Sequence, residues 1–107
     1  MTIDAVKMVV SVFYGVTIQQ LESKARGPQE VSFPRQVAMA LCYELLEKSL
    51  KAVGKAFGGR DHGTVLHARR AVQDKIDTDA AFKSCYGELK LCCGYLTSST
   101  SLDSSHL

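Results

Sequence analysis

The stretch Ser49-Leu50-Lys51-Ala52-Val53-Gly54-Lys55-Ala56-Phe57-Gly58-Gly59-Arg60-Asp61-His62-Gly63-Thr64-Val65-Leu66-His67-Ala68 decides how the whole chain is read. Ser49 is a good helix N-cap, and Leu50 to Phe57 reads as a short helix. Gly58-Gly59 stops it sharply, because glycine enters left-handed backbone without a steric penalty. Asp61 is placed to cap a second helix that buries Val65, Ala68, Val72 and Ile76. Two helices joined by a short glycine-containing turn describe a helix-turn-helix, whose second helix enters the major groove of DNA and touches base edges with its first residues. The side chains at that start suit the task. Arg60 can donate to guanine or phosphate, Asp61 can accept from cytosine, His62 can do either, and Thr64 offers a hydroxyl and a methyl. A helix N-terminus also attracts phosphate through its unpaired N–H groups. Asp61 has a second reading as a cap alone.

The rest of the chain has the same helical period, and no segment alternates over the length of a strand. Thr2 is expected to cap a first helix with Ile3, Val6, Val10 and Phe13 inward and Gly15 near its end; Thr17 caps a short turn through Leu21. A loop then runs from Glu22 to Ser32. Pro34 suits the first turn of the next helix, which carries Val37, Ala38, Leu41, Leu45 and Leu46 inward and runs to about Lys48. Asp77-Thr78-Asp79 restarts the chain into a last helix with Phe82, Cys85, Tyr86, Leu89 and Leu96 on one side. Residues 1–96 are expected to form one all-α domain, and the Ser-rich 97–107 to be a polar, disordered tail.

At 107 residues the chain has room for a single small domain. Its 46% hydrophobic and 22% charged residues suit a chain that folds around a core. No apolar run approaches the length of a membrane span, and the N-terminus lacks the order of a signal peptide, so a cytosolic, nucleoid-associated location and no membrane partner are expected. The net charge of +2 is unevenly spread: residues 24–75 hold ten Lys/Arg against five acids, a local +5. That asymmetry points to a polyanionic partner, with a merely solvated helix surface as the alternative. Cys42, Cys85, Cys92 and Cys93 show no zinc-type spacing and read as reduced, half-buried core thiols. His62 and His67 are five residues apart, roughly 140° around a helix, which disfavours a shared metal.

The run Phe33-Pro34-Arg35-Gln36-Val37-Ala38-Met39-Ala40-Leu41, then Ser49-Leu50 with Val53-Gly54 and Phe57, then Gly58-Gly59-Arg60-Asp61-His62-Gly63-Thr64-Val65-Leu66-His67-Ala68, strongly resembles the C-terminal DNA-binding domain of bacterial replication initiators of the DnaA family. The resemblance covers about residues 1–90. It implies an all-α domain of about six helices, with an extended helix-turn-helix of the Trp-repressor type, that binds a short, non-palindromic, A·T-rich box in double-stranded DNA as a monomer. It places Asp61 and His62 at major-groove base-reading positions, with Thr64 nearby on the same helix face. The family's usual hydroxyl residue between them is Gly63 here, which removes a contact. Leu50 matches a residue that touches a thymine methyl, and the proline that usually follows is Lys51, which can reach a phosphate. Ser23-Lys24-Ala25-Arg26 matches the family's basic loop, making Arg26 the candidate for the minor groove. Arg35, Gln36, Arg60 and Arg70 match backbone-contacting or supporting positions. A lysine common in relatives is Tyr43 here, and the loop is less basic than the family's. His67 reads as packed or phosphate-facing rather than base-reading.

The sequence contains no Gly-x-x-x-x-Gly-Lys-[Ser/Thr] phosphate loop, so no ATP cofactor and no motor are expected in this chain. Met1 and the Ser-rich end favour a free-standing protein, the alternative being a domain of a longer initiator. A free-standing domain would compete with the full initiator for boxes or regulate at them. Gly63, Tyr43 and the depleted loop motivate a competing reading, a protein-interaction module on the same scaffold with weakened or lost DNA binding. An enzyme has little support, since no nucleophile-base pattern, paired carboxylates or cofactor loop stands out.

Overall fold

The computed structural model describes the backbone of residues 2–24 and 27–105, and the side chains of those up to residue 94. Six helices follow one another over the described residues: α1 (Ile3–Tyr14), α2 (Ile18–Glu22), α3 (Gln29–Leu46), α4 (Leu50–Ala56), α5 (His62–Thr78) and α6 (Ala80–Ser105). Each boundary has a local cause. Thr2 Oγ1 accepts from the Ala5 N–H at 3.1 Å, and Gly15 ends α1 at φ 69°. Thr17 and Gln20 exchange bonds of 3.0 and 2.9 Å, a reciprocal capping box that starts α2. Ser49 accepts from Ala52 N–H at 3.0 Å, and Asp79 accepts from Phe82 N–H at 3.1 Å to open α6.

α3 departs from the sequence reading. It starts at Gln29 rather than at Pro34, and ends at Leu46, where Glu47 turns to φ 53°. The chain enters the helix at Pro28, whose carbonyl accepts from Val31 and Ser32 at 2.9 and 2.8 Å. Pro34 therefore sits inside the helix without an N–H for the preceding turn, a placement that costs about 3 kcal/mol in an exposed helix. Burial offsets it: Val31, Pro34 and Arg35 face inward, and Phe33 packs edge-on to Tyr14 at 6.2 Å and against Phe82 at 5.5 Å.

α3 is the central rod. Val37 through Cys42 are consecutively buried, all around the helix, which requires neighbours on every side. α1, α2, α4 and α5 supply them, while α6 lies across α1 and α5. Phe57, Leu21, Met39, Leu41 and Leu89 are fully enclosed. Glu44 of α3 accepts from the Tyr86 hydroxyl at 3.1 Å and from Lys90 at 2.9 Å, which pins α6 from outside. In α1, Val6 and Val10 are buried as expected, but Phe13 is half exposed and Lys7 takes an inward place. Of the four cysteines, Cys42 and Cys93 are buried and Cys85 is half-buried against the core, whereas Cys92 is exposed, so the expectation of half-buried core thiols fails at Cys92 alone. Burial pushes the Cys42 thiol up to about 12 and the Cys93 thiol up to about 11.

The bounds of α6 extend past Leu96, where the sequence reading ends the helix. The polar tail expected over 97–107 falls on residues whose side chains lie outside the description. No helix among the described residues is long and apolar enough to cross a membrane.

Candidate nucleic-acid interface

α4, the turn Phe57-Gly58-Gly59 and α5 form a tight corner. The Arg60 N–H donates to the Gly54 carbonyl at 2.9 Å, and Phe57 N–H donates to the same oxygen at 3.1 Å. The backbone at Arg60 lies so close to α4 that a Cβ on Gly54 would fall 2.0 Å from the Arg60 carbonyl oxygen. Only glycine fits there. Gly58 (φ 84°) meets the end of α2, since a Cβ on it would lie 2.5 Å from the Glu22 carbonyl oxygen. Gly59 (φ 75°) faces open space and is needed for its backbone angle alone. Arg60 folds back and donates to the Phe57 carbonyl, bracing the turn.

The corner leaves the first turn of α5 projecting outward. Asp61 Oδ1 accepts from the Thr64 N–H at 2.8 Å, and that bond holds its carboxyl below the ordinary carboxylate range. Asp61, His62, Gly63 and Thr64 are all exposed, whereas Val65, Ala68 and Val72 are buried on the opposite side. At about 100° per residue, Gly63, His67 and Arg70 lie along the outer line of the helix, with His62 and Thr64 on opposite flanks. The expected common face of His62 and Thr64 is thus split by Gly63. The exposed α5 start offers acceptors, donors and a methyl, the groups that can address base edges.

Beside Thr64 lies an open polar groove of about 460 Å³, lined by Lys24, Gln36, Arg60, Thr64 and His67 over a Met39 floor. Arg35 closes its inner end. That guanidinium is buried, and donates from Nε to the Leu21 carbonyl at 3.0 Å and from Nη2 to the Gln20 carbonyl at 2.6 Å. Burial lowers the pKa of Arg35, and the nearby Arg60 lowers it further; burial also lowers that of Arg60. An arginine so shifted still carries its charge at neutral pH. Two guanidiniums, a lysine and a histidine thus converge on one groove, an arrangement that attracts an anion with several oxygens.

Residues 3–72, spanning α1 to most of α5, match the bacterial DnaA protein helix-turn-helix family. The chain belongs to that family. It is 42% identical over 88 residues to the chromosomal replication initiator protein DnaA of Chromobacterium violaceum, an alignment that takes in 82% of this chain and 19% of that relative. The all-α helix-turn-helix expected from the sequence is therefore the fold of this DnaA-family domain.

Within the DnaA-family frame, the structure brings Asp61, His62, Gly63 and Thr64 together at one exposed turn, with Arg60 half-buried just before it and Arg70 on the same outer line. Lys51 is exposed on the first turn of α4, whereas Leu50 beside it is half-buried against the core. Gln36 is partly exposed in the groove, and Arg35 is a support that grips the end of α2. Arg26 lies outside the described residues. Two further side chains join the groove. His67 is exposed and lines the groove, and Lys24 is the described cation that the loop contributes there. The Ser23-Lys24-Ala25-Arg26 pattern already contained the second signal.

Proposed function

We propose that this chain is a sequence-specific module for double-stranded DNA that reads a short, A·T-rich initiator box as a monomer. The first turn of α5 enters the major groove with Asp61, His62 and Thr64, and the loop at Arg26 reaches the adjacent minor groove. The carrying observation is the outward-facing, capped start of α5 lying directly beside the cationic groove of Lys24, Arg60 and His67. The groove is suited to phosphate, and the exposed Lys51 and Arg70 add positive charge to the surface of α4 and α5. The module is a binder rather than an enzyme, and its reading requires no cofactor.

Fluorescence anisotropy on a box duplex and a scrambled duplex of equal composition tests this reading. Four phosphate contacts, from Lys24, Lys51, Arg60 and Arg70, give a slope of log K against log salt of about −3.6. Arg26→Ala and His62→Ala each cost about 1–3 kcal/mol on the box and relax selectivity at one base position. Equal affinity for both duplexes throughout the titration refutes sequence-specific reading. No binding to any duplex at low salt supports the protein-interaction module instead. Acting by itself, the domain would occupy boxes without a motor and so antagonise the full initiator; unchanged origin firing on overexpression would count against that role.

A further inference from the structure

Lys7 is a charged residue in the core, only 4% exposed. Its ammonium donates to Glu22 Oε2 at 2.6 Å and to the Ala56 carbonyl at 2.6 Å, and it lies 4.9 Å from the centre of the buried Phe57 ring. These partners come from the ends of two different elements. Glu22 is the last residue of α2, immediately before the basic loop, and Ala56 is the last residue of α4, immediately before the glycine turn. The same two ends touch at Gly58, where a side chain would strike the Glu22 carbonyl. Lys7 therefore occupies the joint between the stem of the basic loop and the corner that aims α5.

A buried ion pair is weak evidence for added stability, because desolvation consumes much of the attraction and an apolar residue of similar volume often serves as well. What such a pair does supply is a fixed relative placement of the groups it joins. We propose that Lys7 is a positioning residue that sets the spacing between the two DNA-contacting elements, so that loop and reading turn engage one duplex together. This rests on the DNA reading above. Two contacts on one rigid body reinforce each other through effective concentration, and a loosened joint forfeits that gain while leaving each contact intact.

The test uses Lys7→Met, Glu22→Gln and, as a control on an ion pair between α3 and α6, Lys90→Met. Urea unfolding first establishes that each variant is folded at the assay temperature. Anisotropy then measures affinity for the duplex that the wild type selects from a randomised library and for a scrambled duplex. Lys7→Met and Glu22→Gln are expected to lower the selected-to-scrambled ratio about tenfold, with scrambled-duplex affinity unchanged. Lys90→Met leaves both affinities as they were. Should Lys7→Met fail to fold, Glu22→Gln carries the test, since that carboxylate is 43% exposed and its change removes only charge. An unchanged ratio in folded variants, or equal losses on both duplexes, overturns the positioning role while leaving the DNA reading standing. A wild type that selects no duplex overturns the DNA reading and the positioning role with it.

Discussion

Gly63 lies on the outer line of α5, one residue inside the capped start, and a Cβ built on it meets nothing nearer than Asp61 Oδ1 at 3.4 Å. That is ordinary contact, and the backbone angle there is one that any residue adopts. Gly63→Ala should therefore fold without strain and recover helix propensity of about 1 kcal/mol. For a domain of this size, 1 kcal/mol corresponds to roughly 4–8 °C in Tm. Gly63→Thr recovers less, about 0.3 kcal/mol, because Thr is a poorer helix former than Ala. It adds, however, a hydroxyl and a methyl between His62 and Thr64. One hydrogen bond from that hydroxyl to a base edge is worth about 0.5–1.5 kcal/mol, a gain of roughly 2- to 12-fold in affinity. Thermal unfolding and anisotropy on a box duplex separate the two effects: Ala gains more stability, Thr gains more affinity. If both variants tighten binding equally, the gain comes from ordering the helix start and the hydroxyl argument fails. If neither raises Tm, the placement of Gly63 in unstrained helix is wrong.

The glycines of the corner should form a graded series. Gly54→Ala drives a Cβ to 2.0 Å from the Arg60 carbonyl, costing about 3 kcal/mol or more as overpacking against backbone; Gly59→Ala, in open space at φ 75°, costs only about 1–2 kcal/mol for its left-handed backbone. Urea midpoints at constant slope rank them, and equal losses would contradict the close approach. The Asp61 and Asp79 carboxyls are held low by the N–H groups of Thr64 and Phe82, so their caps are fully stabilising above the unfolded carboxylate pKa, about 3.9. That stability is lost as pH falls through the lower folded values, and Tm should be flat from neutral pH down to about 5 before declining. A double Asp61→Asn, Asp79→Asn variant should decline less steeply below that point, and an identical decline would show the caps are not titrating. A thiol reagent at neutral pH should label exposed Cys92 first and reach Cys42 and Cys93 only as the domain unfolds, because both are buried with raised pKa values. Mass spectrometry of partly labelled protein reads the order directly.

Helix starts at Thr2, Thr17, Ser49 and Asp61 were legible, and that of α6 was narrowed to Asp77-Thr78-Asp79, because a cap is a bond to an N–H three residues on and needs no tertiary knowledge. The start of α3 was not. Two prolines six residues apart both suit a helix opening, and only the burial of Val31 and the packing of Phe33 against Phe82 select Pro28. Lys7 shows the same limit in the site. Its position follows Val6 on the inward face of α1, but a buried ammonium is sensible only once Glu22 and Ala56, 15 and 49 residues away, are known to meet it. The exposed start of α5 was visible, since a capping residue followed by residues with nothing apolar to bury marks a solvent-facing helix start. The groove beside it was not, because Lys24, Gln36 and His67 converge only through the packing of α3 against α5.

The bond from the Thr64 N–H to Asp61 has a consequence for retargeting. A single carboxylate closes the helix and also stands at its exposed first turn, so under the proposed DNA reading recognition at this position can be rewritten only within the set of residues that also cap. Asn and Ser belong to that set; Lys, Arg and Gln, the other residues with long polar reach, do not. The vocabulary available at position 61 is the overlap of two chemistries, and a library randomised there will return stability and specificity as one inseparable phenotype. Positions 62 and 63, whose side chains take no part in the cap, are where new preferences can be sought independently.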